Sequence, residues 1–217
     1  MTEPDVTLTD YALALECAVL AGLIRGAPAG DSQLRRWFAS FFACTGLAAL
    51  AGGTVHGFFL DPESAGHALL WPATLILIGL TSLAAWSAGI RMIAGAGAGG
   101  LRRAGVFAIA VYAALVFFVI QRFWIAIAVY LPAAITLLGG MLAAWRRAPS
   151  RGLAWGVTGV VLVFPAALVQ FLKLAPHPDY FNHNALYHLI QGVSLCLIFI
   201  GARAALAAHP SLRSAPC

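Results

Sequence analysis

The run Asn182-His183-Asn184-Ala185-Leu186-Tyr187-His188, with Gln191 one turn further on, sets imidazoles and amides inside a strongly apolar stretch of chain. Such side chains are costly at hydrocarbon depth, so they face the inside of a helix bundle and mark a functional site. Asn184, His188 and Gln191 recur at i, i+4 and i+7 and share one helix face. His183 is rotated by about 100° from Asn184 and belongs at the mouth of the site. Two further ionisable groups, Glu16 and His56, lie in other apolar stretches. Neutral imidazole is a common metal ligand, and two histidines with a carboxylate or water suit zinc, whose bound water attacks an amide or ester carbonyl near neutral pH. In that chemistry His56 and His188 bind the zinc and Asn184 ligates or orients the water. Glu16 then orients a ligand or accepts the proton.

The elements that carry these residues follow from composition. With 61% hydrophobic and 10% charged residues, the chain is too apolar for a water-soluble domain, in which about a quarter of residues are charged. Apolar stretches over residues 8–24, 37–60, 68–93, 104–121, 123–145, 153–172 and 181–206 are each long enough for a helix to cross ~30 Å of hydrocarbon. The expected fold is all-α: one polytopic seven-helix transmembrane bundle over residues 1–217. Only Gln121 and Arg122 separate the fourth and fifth stretches, so a tight turn is expected there.

Charge orients the bundle. Eleven of the thirteen basic residues, among them Arg25, Arg91, Arg102, Arg146, Arg203 and Arg213, flank the same ends of the spans, and only Arg122 and Lys173 flank the others. The positive-inside rule puts the arginine-rich end in the cytoplasm, with the amino terminus outside and the carboxyl terminus inside, as in a bacterial inner-membrane protein. The net charge of +5 is therefore a topology signal: lipids, including a lipid substrate, are the expected partners, and nucleic acid is not. The acidic stretch before the first span lacks a basic n-region, so no cleavable signal peptide is expected.

Depth connects the helices. Taking Asp10 at the interface, Glu16 lies roughly 9 Å down the first helix; His56 stands about 7 Å below Asp61, and His188 about 10 Å below Phe181. The three are expected to converge in one outward-opening pocket, with Asp10, His67, His183 and Gln191 in support and Gln170 and Trp71 in its wall. Asn182 or Asp179 is placed to cap the seventh helix. Cys17, Cys44, Cys196 and Cys217 show no paired spacing and read as packing residues. The stretch from Ala94 to Gly100 reads as a flexible loop, and Gly52 and Gly53 as helix-packing positions.

Seven helices, the segment Gly52-Gly53-Thr54-Val55-His56-Gly57-Phe58-Phe59 and the segment Asn184-Ala185-Leu186-Tyr187-His188 together resemble the superfamily of alkaline ceramidases and progestin and adipoQ receptors. The resemblance implies a seven-helix hydrolase fold in which His56 and His188 match zinc ligands. Gly52 stands where that family has Ser, Asn184 replaces the first His of its seventh-helix pair, and the third-helix Asp is missing, with His67 near its place. Asp10 and Glu16 resemble the acidic calcium-binding region of the ceramidases. The sequence is similar also to uncharacterised bacterial membrane proteins. Two other readings stand beside the zinc hydrolase: a haem held axially by His56 and His188, and a transporter or ligand-binding protein without catalysis.

Overall fold

The structure, a computed structural model, describes residues 1–27, 30–177 and 180–208. Pro178, Asp179, His209, Arg213 and Cys217 lie outside these residues. The described chain is helical: α1 Pro4–Arg25, α2 Ser32–Phe58, α3 Ala65–Ala94, α4 Gly99–Phe118, α5 Phe123–Arg147, α6 Arg151–Leu172 and α7 His183–Ala208. All seven are long and apolar enough to cross a membrane.

Local chemistry sets the helix ends. Asp31 caps α2, accepting from the N–H groups of Gln33 at 2.9 Å and Leu34 at 3.1 Å. Ser64 and Ser150 cap α3 and α6 in the same way, and Asn182 caps α7. Each satisfies N–H groups that a helix start leaves without partners. The first helix begins at Pro4, four residues before the expected Leu8, because a proline fits the first turn of a helix. The glycine-rich stretch, expected as a loop, contains a short turn between two helices. Gly95 ends α3 at φ +65°, a conformation glycine adopts freely; a single 3-10 turn over Gly95–Gly97 follows, and α4 starts at Gly99.

Helices α1, α2, α3, α5, α6 and α7 pack in that order around a ring, and α7 closes against α1. The fourth helix stands outside the ring against α3 and buries only Tyr112 and Val116. At the arginine-rich end large side chains fill the ring: Phe38, Phe41, Phe42, Met92, Leu137 and Met141 are fully buried. There α6 and α7 cross closely, and a Cβ added at Gly156 would stand 2.6 Å from the Cα of Gly201. Toward the other end the inward positions are small or polar, including Ala48, Gly52, Ala126 and Ala166, and the ring encloses a cavity of about 310 Å³.

Candidate functional site

The cavity is walled by α1, α2, α3, α5, α6 and α7, and its ionisable and amide groups gather toward the end where α1 and α7 begin. From α7 come His183, Asn184, Tyr187, His188 and Gln191; α2 supplies His56, α1 supplies Asp10, and α6 supplies Gln170. The sequence stripe of Asn184, His188 and Gln191 thus lies along the cavity. Trp71 also lines it, while its indole N–H donates to the carbonyl of Gln121 at 2.7 Å and ties down the α4–α5 link.

Its centre is Asp10 and His188. Asp10 is only 5% exposed, and His188 Nε2 stands 3.3 Å from Asp10 Oδ1. The other ring nitrogen, Nδ1, lies 3.0 Å from the Thr9 hydroxyl, which also reaches the carbonyls of Asp5 at 2.9 Å and Val6 at 3.0 Å. Two proton arrangements satisfy these contacts. In one, Thr9 donates to Nδ1 and the Nε2–H faces a charged Asp10 at 3.3 Å. In the other, Thr9 donates to the backbone, Nδ1–H donates to Thr9, and one added proton is shared between Nε2 and the Asp10 carboxyl. The cluster therefore holds either one negative charge or none without stranding a donor.

A second carboxylate–imidazole pair, Glu3 with His56 Nδ1, stands at the mouth. It is fixed by backbone bonds from the N–H of Thr2 to the carbonyl of Gly57 at 3.0 Å and from that of Glu3 to His56 at 3.3 Å. Asp5 accepts from the backbone N–H of Asn182 at 2.9 Å, so α1 is tied to the ends of both α2 and α7. Glycines on α2 permit the approach: a Cβ at Gly53 would meet the Cβ of Asp10 at 2.7 Å. Across the cavity Gln170 donates from Nε2 to Asn184 Oδ1 at 2.8 Å, while Gln170 Oε1 is buried without a partner among the described residues.

Glu16 does not join this site. Six residues turn a helix through 600°, so Glu16 stands roughly 120° around α1 from Asp10. It lies among the exposed Leu15 and Val19 and accepts from the thiol of Cys196 on α7 at 3.2 Å. His56 and His188 both line the cavity, but Asp10, taken as a marker of the interface, occupies the inward position on α1. His67 is likewise absent from the cavity wall; its Nδ1 pairs with the carbonyl of Phe59 at 3.0 Å and its ring stacks on Trp71. Glu3, Thr9 and Tyr130 had no place in the sequence-based site. A signal for Asp10 was present: Val6, Asp10, Leu13, Cys17, Leu20 and Ile24 repeat at helical spacing and are all buried.

The donor set does not fit a zinc ion. Both nitrogens of His188 and one of His56 are engaged by protein groups. Among the described residues, no group of three or more His, Cys, Asp or Glu is placed to hold one metal. A bis-histidine haem meets the same obstacle at His188. Outside the membrane-spanning helices, Asp31 receives Arg91 Nε at 2.6 Å. Burial there disfavours its charge, yet the bonds from Arg91, Leu34 and Gln33 hold its carboxyl below the usual aspartate range.

No curated protein and no solved structure matches the chain. One family model matches over residues 6–207, nearly the whole length and all seven helices. The chain belongs to that family, a family of unknown function described as DUF6962.

Proposed function

We propose that the chain is an integral protein of a bacterial inner membrane that binds a small amphipathic molecule in its cavity. Its arginine-rich end lies in the cytoplasm, following the positive-inside rule, and the site opens to the opposite side. The observation that carries this reading is the cavity itself, with ionisable and amide groups from four helices at one end and a mostly apolar wall farther in. Its volume of about 310 Å³ is at the lower end for a small-molecule site, where a few placed polar groups orient a ligand held by an apolar wall. Asp10, His188, Asn184 and Gln170 meet the head, and Ile78, Val163 and Ile198 take the chain. Placement of His56 and His188 on the second and seventh of seven helices supports a likeness of topology to the ceramidase-like superfamily, but the donor set does not support its zinc hydrolysis.

Native mass spectrometry of protein purified in mild detergent tests the binding. The wild type is expected to carry a small amphiphile that Ala167→Phe, which fills the cavity, loses. Equal adducts on both proteins, or none on either after lipid extract is added, would overturn the reading. Cysteine labelling from the two sides of the membrane tests the orientation, and outside labelling of the Gly95–Gly97 turn would reverse it.

A further inference from the structure

We infer that the ligand's head is a protonated amine seated against Asp10. This rests on the binding reading above and names the class of ligand. The first ground is charge. Among the described residues no Lys or Arg lines the cavity, Asp10 is the only carboxylate that does, and the other titratable wall groups are histidines and tyrosines. An anionic head such as a phosphate or carboxylate would meet Asp10 with no fixed cation beside it, and such a burial is costly.

The second ground is the supply of hydrogen-bond acceptors. Asp10 has one long contact, to His188 at 3.3 Å, and its Oδ2 has no hydrogen bond among the described residues. Beside Asp10, the wall hydroxyl of Thr74 donates to the carbonyl of Leu70 at 2.8 Å, so it presents lone pairs to the cavity. Gln170 Oε1 adds an acceptor that has no partner among the described residues. The tyrosine hydroxyls and the amides of Asn184 and Gln191 both donate and accept, so they do not reverse the balance. An ammonium group brings three donors and a charge to a site short of both.

The third ground is the aromatic wall. Trp71, Tyr130 and Tyr187 line the cavity, and aromatic faces attract cations, most strongly where water is excluded. The Thr9–His188–Asp10 cluster completes the fit. It holds a negative Asp10 once Thr9 donates to Nδ1 and Nε2–H faces Oδ1, so an arriving ammonium at Oδ2 supplies the positive charge that the added proton otherwise brings.

Full-length protein in detergent, titrated calorimetrically with hexylamine, hexanol and hexanoate, tests this. Hexylamine is expected to bind at least tenfold more tightly than hexanol, hexanoate more weakly than either, and Asp10→Asn to bring hexylamine down to the level of hexanol. Hexylamine binding no better than hexanol, or hexanoate binding best, would overturn the inference and leave the amphiphile reading standing. Binding of none of the three would overturn both. Should Asp10→Asn fail to fold, the wild-type ranking decides alone.

Discussion

The two ends of the bundle are built from the same helices on opposite plans. At the arginine-rich end, phenylalanines, methionines and leucines fill the ring, and paired glycines bring α6 and α7 together. At the other end the inward positions carry alanine, threonine, asparagine and histidine, and the space between the helices stays open. The first plan gains dispersion contacts over its whole interior. The second gives those up and holds its helices with carboxylate–imidazole pairs, a cap and a strap of backbone bonds at the rim. One half therefore supplies rigidity, and the other is free to supply a site.

Substitutions at the two ends test that division. The largest effect is expected from Gly156→Leu, whose side chain must displace the backbone of α7; it should cost about 3 kcal/mol or more, read as loss of monodisperse protein in detergent chromatography. If Gly156→Leu behaves as wild type, the arginine-rich half is not the rigid part. Next comes His188→Leu at the open end. It strands Asp10 in the cavity and should cost about 2 kcal/mol, with the thermal midpoint restored in part by Asp10→Asn in the same chain. Failure of that second change to restore stability would mean the pair does not hold the open end.

A smaller effect belongs to Asp31 and Arg91, which join the start of α2 to the end of α3 at the closed end. Because the folded carboxyl titrates below its unfolded value, the stabilisation is fully present above the unfolded aspartate pKa of about 3.9. It is lost as pH falls through the lowered folded value. Arg91→Ala should cost about 0.5 kcal/mol at neutral pH, the size of a screened ion pair, and should shrink the loss of stability on acidification. A stability–pH curve identical to that of the wild type would show the pair to be idle. The smallest effect is expected from Ala167→Leu, which adds bulk facing open space and should shift stability by less than about 0.5 kcal/mol. A penalty as large as that of Gly156→Leu would mean that the open end is as tightly filled as the closed one.

Several parts of this arrangement were legible without coordinates. Seven helices follow from the length of seven apolar runs, because a helix satisfies its own backbone polar groups and needs no partner to do so. The stripe of Asn184, His188 and Gln191 follows from the helical repeat alone. The place of Glu16 did not, since a depth estimate measures distance along an axis and ignores rotation about it. Asp10 was misplaced for the same reason: an acid near a chain end reads as an interface marker until the burial of Val6, Leu13 and Cys17 shows which face of α1 turns inward. Glu3 was legible only as charge.

Sequence by itself determined the helices, their order, and the segregation of most basic residues to one end, because these depend on runs of residues close together in the chain. Only the tertiary structure decided that Thr9 and Asp10 grip His188 across 179 residues of sequence, that Glu16 turns outward, and that α4 stays outside the ring. Each of those outcomes depends on which faces of which helices meet. That choice is set by close contacts such as Gly53 against Asp10 and Gly156 against Gly201, which no local pattern in the chain specifies.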